Sequence, residues 1–131
     1  MLFNLAPLST RRDIAMLGVV HRAVLRRGPK HFFRFFQVSS SPYSHFLRRR
    51  HSRHLRDLRG PRALDIHNRS ILGLSWIYNL LPAHIVELSS ITDFQSALQD
   101  LVRARAISGC DDWASTLSPR IPSYCHPLAS N

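Results

Sequence analysis

The stretch ILGLSWIYNLLPA, residues 71–83, carries no charged side chain and is apolar nearly all the way round a helix. A helix without a polar face has no place at a surface, so it must lie in the centre of a packed assembly. Thirteen residues are also too few to cross a bilayer, which takes about 20. The rest of the chain therefore has to supply amphipathic elements that wrap this one. Asn68 is placed to cap the central helix, NRSILGLSWIYNLLP, and Pro82 to end it. Gly73 marks either a weak point in it or a close approach by a second helix.

Two wrapping helices are legible on either side. The first opens at STRRDIAMLGVVHRAVLRRGP, where Thr10 and Asp13 have the spacing of a capping box. Ile14, Leu17, Gly18, His21, Val24 and Leu25 share one face, with Arg11, Arg12, Arg22 and Arg26 largely off it. Gly28-Pro29 is the expected stop. The other helix opens at Ser90, with Asp93 three residues on. Its buried stripe is Ile91, Phe94, Leu98, Leu101 and Val102, and Gly109 should end it.

These signals predict an all-α fold of about three main helices. An N-terminal helix and a short aromatic turn occupy residues 1–36, and a basic loop follows over 37–67. The central apolar helix and the third helix fill 68–108, and an irregular Pro-containing tail runs over 109–131. KHFFRFF, residues 30–36, reads as a helical turn begun by Pro29. Its four phenylalanines suit a core, and secondarily a stacking platform for unpaired bases.

Charge divides the chain. The formal net charge is +10, with fifteen Arg or Lys against three acids in residues 1–70 and three against five in 71–131. Of the eighteen basic residues only Lys30 is a lysine. Arg grips phosphate through a planar fork, although a GC-rich genome would give the same bias. The charge concentrates in HFLRRRHSRHLRDLRGPR, residues 45–62, with seven arginines, three histidines and one acid, Asp57. As a helix, this segment would place Arg49, Arg53 and Arg56 on one face, able to follow a phosphate backbone. The competing reading is a solvated linker.

No constellation for catalysis is present. GCDDW, residues 109–113, has adjacent aspartates but lacks the aromatic residue and the flanking strands of a polymerase site, so Asp111 and Asp112 read as a solvated turn. His51, His54, Cys110, Cys125 and His126 fit no zinc spacing. Cys125-His126 are chain neighbours in a Pro-rich tail, a poor setting for a nucleophilic pair. A phosphate-cradling Gly-rich loop is missing too. Hence neither an enzyme, a cofactor nor a metal is expected. Two cysteines without a framework suggest a reducing compartment, nucleus or cytoplasm. The Arg-rich, acid-poor first 34 residues leave mitochondrial import as a minor alternative.

Two segments resemble the region that follows the catalytic palm in reverse transcriptases of non-LTR retrotransposons. In PLSTRRDIAMLGVVHRAVLRRGP, the residues Pro7, Leu8, Ser9, Arg11, Arg12, Arg22 and Pro29 match the family pattern, although its Gly–Pro spacing differs. In RSILGLSWIYNLLPAHIVELSSITDFQSAL, the matching residues are Tyr78, Asn79, Leu81, Pro82, Ile85, Ser90, Phe94 and Leu98. Tyr78 stands where the family usually has Trp. The resemblance spans roughly residues 5–105, with an arginine-rich variable stretch between its halves. It implies a non-catalytic C-terminal helical segment whose partners are nucleic acid and the enzyme's catalytic part; no membrane partner is expected, because no apolar run reaches the length of a span. Arg48, Arg49, Arg50, Arg53, Arg56 and Arg59 would then contact the backbone, with Arg11 and Arg12 as auxiliaries. The alternative is an inactive remnant whose helices would pack on a missing catalytic domain.

Overall fold

The computed structural model describes residues 7–33, 35–38, 53, 55, 71–121 and 126–128. Among these the fold is all-α, with no strand. Asn68 and most of the arginine segment lie outside the described residues.

Helix α1 spans Leu8–Val24, three residues longer at its start than the Thr10 box predicts. Pro7 caps it: its ring fixes φ at −55°, and its carbonyl accepts from the Arg11 amide. Thr10 lies within the first turn and is buried. Its hydroxyl donates to the Ala114 carbonyl at 3.1 Å, a tertiary bond in place of the local cap. The far end also departs from expectation. Arg26, not Gly28, takes the left-handed position, at φ 57°. The amides of Arg26 and Arg27 return to the carbonyls of Ala23 and Arg22, which closes the helix in a Schellman motif. Pro29 then caps a 3-10 turn at Lys30–Phe32, as the sequence predicts.

The central apolar stretch is buried as expected but is not one helix. A 3-10 turn, Ile71–Gly73, leads into α2, Leu74–Leu80, whose residues are all buried. Leu81 is extended at ψ 147°, because the ring of Pro82 disfavours helical geometry in the residue before it. A single turn, α3, follows at Ala83–Val86. Helix α4, Ile91–Ile107, matches its sequence signals closely. The Ser90 hydroxyl accepts from the Asp93 amide at 3.3 Å, and Gly109 ends the helix at φ 85°.

Helix α1 packs on both α4 and α2. Gly18 allows the first of these contacts, since the Gln95 side chain occupies the space a β-carbon would take. Leu17, Val20, Ile77, Tyr78, Leu81, Phe94, Leu98 and Val102 form the middle of the core, and Phe36 joins it. Phe32, Phe33 and Phe35 pack against it, half-buried. Residues beyond Gly109 close the core's other end. A 3-10 turn at Trp113–Ser115 precedes buried Thr116 and Leu117, and His126 meets the Trp76 ring edge-on at 5.0 Å.

Candidate nucleic-acid interface

Arg11 and Arg12 lie exposed near the start of α1. Arg48, Arg49, Arg50, Arg56 and Arg59 lie outside the described residues. Between them, two points of the segment are fixed. Leu55 is 3% exposed and pairs with Val38 in an isolated antiparallel bridge. Its backbone is gripped by Asn79: the Leu55 amide donates to Oδ1 at 2.7 Å, and Nδ2 donates to the Leu55 carbonyl at 3.0 Å. Arg53 is the second point. Its guanidinium donates to the Val86 carbonyl at 2.7 Å and to the Tyr78 hydroxyl. The structure thus commits Arg53 to holding the segment on the helical core.

Tyr78, Asn79, Leu81, Ile85, Phe94 and Leu98, which carry the resemblance, are all buried. They converge because α1 packs on both α2 and α4, which brings the Tyr78 and Phe94 rings to 6.1 Å between centroids. His21, a core-face residue in the sequence with no role assigned there, links them. Its Nε2 lies 2.7 Å from the Leu88 carbonyl, which can only accept, so that nitrogen carries the hydrogen. Nδ1 then accepts from the Tyr78 hydroxyl at 2.8 Å, and the imidazole stacks on Phe94 with centroids 4.1 Å apart. Burial holds the His21 pKa below its ordinary value, and the charges of Arg53 and Arg27 add to this against the bond to Leu88. Burial likewise raises the Tyr78 phenol above its ordinary value. Arg53, Tyr78 and His21 therefore form one chain of donors ending on a backbone carbonyl. Arg27 ties the same connection down by donating to the Ser89 carbonyl at 2.6 Å.

Of the other residues considered for chemistry, His51, His54 and Cys125 lie outside the described residues, and Cys110, Asp112 and His126 have structural partners. Asp112 pairs with Arg105 at 3.0 Å, and Asp111 is exposed in the turn. His126 donates from Nε2 to the Ser118 carbonyl at 2.8 Å, and its Nδ1 accepts from the Leu128 amide at 3.2 Å. Both nitrogens are in use by a neutral ring, and burial lowers its pKa. Among the described residues no group of three or more His, Cys, Asp or Glu could hold a metal ion. No helix among them is long and apolar enough to cross a membrane.

Two clefts were not foreseen. One of about 360 Å³ lies between the start of α1 and residues 114–121. Asp13 borders it, its carboxyl pushed up to about 6 by burial against the opposing pull of Arg12 and Arg120. The other, of about 480 Å³, lies between the end of α1 and the aromatic turn, beside Phe33 and Phe36. The Arg26 guanidinium sits 5.6 Å from the Phe33 ring centroid. No protein-family model, no curated protein and no solved structure matches the chain.

Proposed function

We propose that the chain is a non-catalytic helical segment, related to the C-terminal region of a non-LTR retrotransposon reverse transcriptase, that binds nucleic-acid backbone without sequence preference. Arg48, Arg49, Arg50, Arg56 and Arg59 are its phosphate contacts, Arg11 and Arg12 its auxiliaries, and Arg53, engaged with the core, its tether. One observation carries the reading. A solvated linker has no use for a buried leucine in its middle or for a core asparagine reserved for that leucine's backbone, yet Leu55 and Asn79 make this pair. An arginine run anchored at its centre meets a strand at a lower ordering cost than a free one.

Fluorescence anisotropy with labelled single- and double-stranded RNA and DNA over a salt series tests this. Affinity is expected to fall log-linearly with salt, by a slope of about −0.7 per phosphate contact on a single strand. A flat slope would overturn the phosphate mechanism.

Leu8 and Ile107, 77% and 79% exposed at two helix ends, favour one alternative, a remnant made to pack on a catalytic domain. That reading expects a weakly stable, self-associating chain. Cooperative unfolding of a monomer would count against it.

A further inference from the structure

The cleft beside the aromatic turn has the chemistry of a ligand site. Ala23 and Phe36 are buried in it, Val24 and Phe33 are half-buried, and Arg26 and Lys30 stand exposed at its rim. None of its described lining residues is acidic. Two phenylalanines and two cations in one lining suit an anion that carries a flat, unsaturated group.

Arg26 adds a second, independent sign. A non-glycine residue rarely adopts positive φ, yet Arg26 does so at φ 57°. The outcome is a guanidinium held over the Phe33 ring. The ring face therefore already accepts a planar group. Val38, also at the rim, pairs with Leu55, so the cleft opens beside the point where the arginine segment is anchored.

We propose that this cleft seats one unpaired base of a single-stranded nucleic acid, stacked on Phe33, with Arg26 and Lys30 on the adjoining phosphates. The base takes the guanidinium's place on the ring, and the freed fork of Arg26 turns to phosphate, its best partner. A duplex keeps its base faces hidden, so the cleft makes the chain prefer single strands. The inference rests on the proposed backbone binding and gives that binding its strand preference.

Three variants of the full chain test it, with a 12-nucleotide single strand and its duplex as probes. Phe33→Leu keeps the apolar bulk and removes the π-face. It is expected to weaken single-strand binding about tenfold and to leave duplex binding unchanged. Phe33→Trp keeps the face, and its emission should be quenched by the single strand and not by the duplex. Lys30→Ala, at an exposed position, should weaken single-strand binding without altering the fold. Unchanged single-strand affinity in Phe33→Leu, or Phe33→Trp emission indifferent to saturating single strand, would overturn the cleft alone. Quenching by adenosine monophosphate as strong as by the strand would also overturn it, in favour of a mononucleotide seat. A wild-type chain that binds neither probe would instead overturn the backbone-binding reading, and the cleft with it.

Discussion

The side-chain amide of Asn79 holds the backbone of Leu55 on both sides, accepting from its amide at 2.7 Å and donating to its carbonyl at 3.0 Å. The pair mimics a strand neighbour, beside the single bridge to Val38 found among the described residues. Asn79→Ala leaves two buried backbone groups without this partner, each costing about 1–3 kcal/mol. Denaturant unfolding should show a loss of about 3 kcal/mol at an unchanged m-value. A loss under about 0.5 kcal/mol would mean the segment is not anchored there.

His21 and His126 are neutral in the fold, both with pKa values lowered below 6.5, chiefly by burial. The unfolded chain takes up protons near its ordinary pKa while the folded chain does not. Their contribution to stability is therefore present above about pH 6.5 and lost as pH falls below it. Unfolding at pH 7.5 and 5.5 should show this loss. His21→Phe, less stable at pH 7.5 because Tyr78 and Leu88 lose their partner, should show a shallower acid slope. An equal slope in this variant would refute the neutral-imidazole assignment.

Asp13 acts in the opposite direction. With its pKa raised to about 6, the folded chain binds this proton more tightly than the unfolded chain does. Stability is then lost as pH rises from 3.8 to about 6, and the deficit is complete above that. Asp13→Asn should gain on the order of 2 kcal/mol at pH 7 and little at pH 4. Its acid loss below pH 6 should be steeper than wild type, because the histidines then act unopposed. A destabilised variant at pH 7 would show that the pull of Arg12 and Arg120 outweighs burial.

Arg26→Gly removes a β-carbon from a left-handed position and keeps both Schellman bonds, which are made by backbone. The relief is about 1 kcal/mol, set against a cation–π contact worth about 0.5 kcal/mol at an exposed site. A small rise in melting temperature is expected, together with weaker single-strand binding. This divergence would mark Arg26 as a residue kept for binding. Parallel loss of both would assign it to the fold.

Helix α4 could be read from sequence throughout, because Ser90, the stripe of Phe94, Leu98 and Val102, and Gly109 all act locally. The buried face of α1 was legible for the same reason, and its ends were not. The Thr10 hydroxyl is diverted to Ala114, which lies 104 residues away, and no local spacing encodes that. The central stretch announced its burial through composition. Its break follows from Pro82, read only as a stop, whose effect falls on Leu81. In the candidate site, charge identified the arginine segment but could not separate Arg53, engaged with Val86 and Tyr78, from its neighbours. Nor could periodicity pair Asn79 with Leu55, since that bond joins two segments of different local character. The packing of Leu117, His126 and Leu128 was hidden by the Pro-rich composition around them.

The most direct test of the account replaces Arg48, Arg49, Arg50, Arg56 and Arg59 with Ala, leaves Arg53 and Leu55 in place, and measures single-strand affinity against salt. The account predicts an unchanged melting temperature, a loss of at least about a hundredfold in affinity at low salt, and a salt slope reduced by about 0.7 for each contact removed. Wild-type affinity and slope in this variant would contradict it, and the arginine run would then be a charged spacer tied to the core at Leu55.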